Sequence, residues 1–266
     1  MASNDAKFLA AVVSSGGVIT WPVALVLGGH FGLSQATVQR VLQRLVEAGA
    51  MHRTTIVGER SNAWLTTPAT ASAYERPAAT RFLGRGNPGA TWSPGPTLRH
   101  DQLALIATFG FTRAADDEEE ATASPEAEIE TQYTSTAGLH VPDGAFVLHP
   151  GGQMEICVGV EVELSKKSGG ATGKNSTAWA RSLAPSILDR QAGAGTRILA
   201  LDRAIGATLL VAPRRLAVLI RNAVWREAEE RGCDPGWIFW AEPEPGRLEL
   251  GQMKIWHLEF AEPPED

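Results

Sequence analysis

The sequence predicts an α+β protein in two parts. Three observations carry that reading. Helical periodicity fills the first fifty residues and ends in two short extended runs. Period-two alternation dominates from residue 140 to 165. The charge balance also reverses along the chain: ten Lys and Arg face five acids up to Arg113, whereas the remainder carries 14 basic and 25 acidic residues. A basic module joined to an acidic one explains a net charge of -6 better than a uniformly acidic protein does.

Residues 4–15, 21–28 and 35–49 read as helices, a compact bundle in about fifty residues. The third is the clearest. Ser34 suits its N-cap, Val38, Leu42, Leu45 and Val46 recur on one face, and Gly49 suits its stop. Residues 51–57 and 63–67 then read as a hairpin with a polar tip, Gly58 to Asn62. Residues 74–96, rich in Gly, Pro, Thr and Arg, read as a linker. Beyond it a helix is expected over 98–109, followed by an acidic run from Asp116 to Glu120 that reads as a solvated loop. Strands follow at 129–135, 140–148 and 154–165, a helix at 178–191, strands at 197–201 and 208–211, a helix at 214–231 and a strand at 237–240. The expected domains are 1–75, a linker at 76–96, and a mixed α/β domain at 97–266.

Function classes narrow quickly. No apolar run approaches the roughly 18 to 20 residues of a membrane span, and the first thirty residues carry no secretory pattern. The expectation is a cytoplasmic chain with no membrane partner. Two cysteines, Cys157 and Cys233, build neither a disulfide framework nor a zinc site unaided, and read as core residues. Two glycine-rich stretches also fail as nucleotide loops. Gly169 to Ser176 lacks the spacing of a phosphate-binding loop. Gly84 to Gly89 follows no strand and contains Pro88.

The helix over 35–48 followed by a hairpin resembles the recognition helix and wing of a winged helix-turn-helix. That resemblance covers about 65 residues and implies double-stranded DNA as the partner. Gln35, Thr37, Gln39, Arg40, Gln43 and Arg44 lie on the polar side of the helix, and Arg60 lies at the wing tip. They are the candidate DNA contacts, with Arg40 and Arg44 one turn apart.

In the later part, Ile156, Val158, Val160, Val162 and Leu164 alternate with Gly159, Glu161, Glu163 and Ser165. Two carboxylates therefore share a face. Pairing Leu148 with Met154 sets Asp143 opposite Gly159 and adds a third. Three like charges on one face repel, and a magnesium or manganese ion relieves the repulsion. Asp143, Glu161 and Glu163 are the candidate metal ligands and catalytic acids.

The arrangement resembles the PD-(D/E)XK restriction-endonuclease-like fold, in which an Asp, an acid on the next strand and a Lys two residues later form the site. The resemblance implies metal-dependent DNA cleavage. Here Glu163 and Ser165 stand where that lysine is expected, so Lys166, Lys167 or Lys174 must supply it from a shifted position.

From Val18 to Pro213 the order of motifs resembles the replication-relaxation family of plasmids and integrative elements. These are Ala63-Trp64-Leu65-Thr66, His100 within Leu98-Arg99-His100-Asp101, Glu130, Pro142-Asp143-Gly144 and Glu161-Val162-Glu163. The chain departs from it in the Gly-rich loop after Lys167. Membership implies a DNA-binding protein of replication or relaxation with a nuclease-like domain. The alternative is a winged-helix transcriptional or copy-control regulator whose second domain is inactive and mediates homodimerisation or partner binding.

Overall fold

The computed structural model describes residues 3–56, 62–74, 91–92, 97–112, 122–126, 129, 141–148, 155–164, 176–191, 197–198, 201, 203–245 and 247–255. The chain is α+β, as the sequence predicts. Helices α1 (Ser3–Ser14), α2 (Trp21–His30) and α3 (Gln35–Glu47) come first, with β1 (Val18–Thr20) between α1 and α2. Strands β2 (Met51–Ile56) and β3 (Asn62–Thr66) follow, then the short α4 (Pro68–Ala73) and β4 (Thr91–Trp92). Ser34 caps α3 by accepting from the Thr37 N–H at 3.3 Å. The helix ends at a Gly49 with φ of +68°, a conformation that favours glycine.

The three-residue β1 carries no period signal of its own. It exists because Ile19 and Val18 pair with Trp64 and Leu65 of β3. The first sheet has the order β1-β3-β2-β4, and the parallel pairing of Thr91 and Trp92 with Thr55 and Ile56 brings part of the expected linker into it.

The second part begins with α5 (Leu98–Gly110) and continues through β5 (Ala123–Pro125), β6 (Gly144–Leu148), β7 (Ile156–Val162), α6 (Ser176–Gln191), β8 (Arg197–Ile198), β9 (Arg203–Val211), α7 (Arg214–Arg231), β10 (Trp237–Ala241) and β11 (Lys254–Ile255). The strand order is β11-β10-β9-β7-β6-β5, with β8 paired to β9. β7, β9 and β10 run parallel, and β5, β6 and β11 are antiparallel to their neighbours. Val158, Val160 and Val162 share a core with α5, whereas Leu210, Ile238 and Trp240 share one with α6 and α7. No helix among the described residues is long and apolar enough to cross a membrane.

The hairpin register corrects the expectation. Leu148 pairs with Ile156 rather than Met154, and Gly144 with Val160. The shift is two residues, so every side chain keeps its face. Burial sets it: Phe146 opposes Val158, and both are fully buried against the α5 side. Continued by one residue, this register carries Asp143 to Glu161 rather than to Gly159. The expected strand over 129–135 lies outside the described residues except for Ile129, which is buried.

α5 joins the two parts. Every residue from Gln102 to Phe109 is buried, because α2 covers one side of the helix and the second sheet covers the other. A Cβ on Gly144 would overlap the Thr108 side chain, so glycine there permits the close approach of α5 to β6. One apolar core runs from Phe8 and Leu27 through Leu103 and Ile106 to Phe146 and Leu209, across the expected domain boundary.

Gln102 reaches from α5 to the open edge of β1. Its carbonyl oxygen accepts from the Thr20 N–H at 2.8 Å, and its amide nitrogen donates to Val18 O at 3.2 Å. The side chain thus stands in for a neighbouring strand. Gln102→Leu removes both partners from buried backbone groups and is expected to cost about 2 to 4 kcal/mol. Urea unfolding of the full chain checks this; an unchanged midpoint would show that water or backbone takes over.

Candidate functional site

Two places carry the candidate residues. The first is the outer side of α3, where Gln35, Gln39, Arg40, Gln43 and Arg44 are exposed and Thr37 is half-buried. Arg40 is steered by its own helix, donating to Ala36 O and Thr37 Oγ1 at 3.3 Å each. Gln43 donates to Glu47 at 2.8 Å. Arg44 turns to the opposite flank and grips the buried Asp5 through two nitrogens, at 2.9 and 2.6 Å. That fork-to-carboxylate geometry makes Arg44 a tie between α1 and α3. Arg60 lies outside the described residues.

The second place is the carboxyl end of the parallel strands. Asp143, Glu161 and Glu163 are all buried there, at 8, 4 and 7% exposure. Asp143 precedes β6, and its Oδ2 accepts from the Val162 N–H at 2.7 Å. His100, in the first turn of α5, donates from Nε2 to Val162 O at 3.0 Å and stands 3.6 Å from Asp143 Oδ2. The two side chains therefore satisfy both backbone polar groups of one residue, Val162, at the end of β7. Glu163 donates its N–H to Val211 O at 2.9 Å, which extends β7 alongside β9. Glu161 is ion-paired with Arg190 of α6, which is fully buried.

The electrostatics follow from burial and proximity. Burial, then the Glu161 charge, push the Asp143 carboxyl up to about 8, against the pull of His100 and the Val162 N–H. Burial opposes a charged His100, but the Asp101 hydrogen bond and the charges of Asp143, Asp101 and Glu126 outweigh it and raise its pKa to about 9. A protonated imidazole suits the contacts: Nδ1 faces Asp101 at 3.3 Å while Nε2 donates to Val162 O.

Comparison with family models, curated proteins and solved structures finds no match to this chain. The site's oxygen donors are of the hard type magnesium prefers. However, Asp143 is engaged by the Val162 N–H and Glu161 by Arg190. Among the described residues no group of three or more His, Cys, Asp or Glu is arranged to hold a metal ion. As arranged, these donors do not fit a magnesium site. Lys166, Lys167, Lys174 and Glu130 lie outside the described residues.

Arg190 is the residue that sequence reasoning missed. The signal was present: it falls at the i+7 and i+3 positions from Leu183 and Ile187, so a charge sits on an apolar stripe. Such a residue is buried with a partner or breaks the helix face.

Two outcomes follow. Arg190→Met leaves Glu161 buried without its guanidinium and is expected to cost about 3 to 5 kcal/mol, whereas Arg190→Met with Glu161→Leu recovers most of it. Chemical unfolding of the singles and the double would expose a merely incidental contact by showing additive losses.

For pH, both shifts run upward, so the folded state holds more protons than the unfolded one. His100 stabilises fully below about 6.5, and that contribution is lost as pH rises through about 9. Raised Asp143 likewise costs stability as pH climbs from 3.8 toward 8. The melting temperature is therefore expected to fall between pH 7 and pH 9, and Asp143→Asn to flatten that fall. A melting temperature that rises over this interval would contradict the assignment.

Proposed function

We propose that this chain is a double-stranded-DNA-binding protein of the replication-relaxation type. Its first part is a winged helix-turn-helix that docks α3 in the major groove, and its second part has a restriction-endonuclease-like fold. The observation that carries the DNA reading is the outer side of α3. Gln35, Gln39, Arg40 and Gln43 stand exposed on a helix whose other face is buried, with the β2–β3 hairpin beside it. Amide and guanidinium groups at one-turn spacing suit base edges and phosphates. The nuclease-like reading is supported by Asp143 ahead of β6 and Glu161 on the next strand, the order that fold's motif requires.

Two versions of the second part differ in chemistry. In one, the chain is a metal-dependent nuclease, and Asp143, Glu161 and Glu163 would hold magnesium or manganese only after giving up the Val162 N–H and Arg190. In the other, the chain is a transcriptional or copy-control regulator whose second part mediates homodimerisation or partner binding. The Arg190–Glu161 pair favours the second version, because a resident guanidinium already supplies the positive charge that the carboxylates need.

Arg40→Ala is expected to lower the slope of log affinity against log salt by about 0.9, one phosphate contact. Arg44→Ala should act mainly on stability through the loss of the Asp5 tie. A gel-shift titration over salt reads the first and thermal melting the second; an unchanged salt slope for Arg40→Ala would remove α3 from the DNA interface. Incubation with supercoiled plasmid and magnesium or manganese separates the two versions: intact plasmid at every metal concentration leaves the regulator, and nicking that Glu161→Ala abolishes establishes the nuclease.

A further inference from the structure

We propose that the groove between α3 and the β2–β3 hairpin binds one unpaired nucleobase of a DNA strand, an inference that rests on the DNA-binding reading above. The groove has a volume of about 810 Å³, within the roughly 300 to 1,000 Å³ of clefts that hold small ligands. Its apolar side comes from Leu42 and Val46 of α3 and from the indoles of Trp21 and Trp64. Its polar side comes from Gln39, Gln43, Asn62 and Arg53.

The geometry is that of a stacking platform. The Trp21 and Trp64 ring centroids are 6.0 Å apart and the planes are inclined at 43°. A base sandwiched between two rings needs about 7 Å, two van der Waals contacts of about 3.5 Å. The base therefore stacks on the outside of the pair. Trp64 is nearly buried, while Trp21 is only half-buried at the start of α2, so Trp21 is the ring that receives it. The Arg53 guanidinium carbon lies 5.9 Å from the Trp64 ring and adds a cation to the aromatic wall.

The polar groups select the same ligand. Three carboxamides offer both donors and acceptors, as the edge of any nucleobase does. Glu47 at the groove repels a phosphate, so the groove takes a base and leaves the backbone outside. Gln39 and Gln43 lie on both the groove and the outer side of α3, one turn apart, so a strand running along that helix passes the groove mouth. That continuity assigns the base to a bound strand rather than to a free nucleotide. A protein acting where a duplex opens has use for such a holder, since an extruded base has lost its stacking partners and gains one here.

The test uses the full chain and two short duplexes of the same sequence, one fully paired and one carrying a single extrahelical 2-aminopurine. The bulged duplex is expected to bind about tenfold more tightly, the scale of one base–aromatic stack, with the 2-aminopurine fluorescence quenched on binding. Trp21→Leu keeps an apolar side chain at the site and should bring the two affinities together without changing binding of the paired duplex. The quench in the unsubstituted chain stands independently of how that variant folds.

Equal affinities with no quench would overturn the groove assignment and leave the DNA-binding reading in place. Failure to bind either duplex would overturn both. Equal affinities for the duplexes combined with displacement of bound fluorescent nucleotide by adenosine monophosphate would overturn the assignment to a strand base in favour of a free nucleotide.

Discussion

The structure depends on a helix whose middle two turns have no face left for water. α5 is buried from Gln102 to Phe109 because the three-helix bundle and the second sheet both need an apolar surface to close against, and each finds it on the same eight residues. A single helix serving two layers removes solvent from both at once, the most economical way for short elements to form a core. It also forces polar residues in α5 to act inside the protein. Gln102 completes the edge of β1, Thr108 returns its hydroxyl to Ala104 O, and His100 closes the end of β7.

The carboxylate cluster shows how the same side chains serve architecture and invite a chemical reading. β7 outruns β6 at Val162, whose N–H would lack a strand partner; the Asp143 carboxylate supplies one and His100 takes the carbonyl. Glu161 points to the α6 side, where the buried Arg190 meets it. Positive charge from His100 and Arg190 therefore reaches the acids from both sides of the sheet. A buried ion pair of this kind adds little net stability over an apolar pair, but it penalises any register in which the two groups miss each other.

Much of the fold was legible in the sequence because local chemistry agreed with tertiary need. α3 announces itself through Ser34, its apolar stripe and Gly49, and the helix over 214–231 matches its expected span to the residue. The alternation in β7 assigned Glu161 and its neighbours to the correct faces even though the pairing was two residues off, since a shift of two preserves the pleat. What stayed hidden was non-local. β1 and β5 are three residues long and are defined by their partners, β3 and β6. The burial of α5 on two sides leaves no amphipathic stripe from which to infer its second neighbour. Asp5 looks like a surface charge, and the apolar stripe that marks Arg190 for burial does not name its partner, until Arg44 and Glu161, 39 and 29 residues away, are brought to them.

Because α5 is wedged between α2 and the second sheet, the two parts of the chain cannot swivel about a hinge. On the proposed reading, in which α3 docks on a duplex, this would have a geometric meaning. A flexible tether would let the second part reach any side of the duplex, whereas a shared helix presents it at one azimuth relative to α3. Duplex DNA turns once in about 10.5 base pairs. Under that proposal, whatever the second part met on a docked duplex would recur with that period, and insertion of half a turn into a target would place it on the wrong side of the double helix.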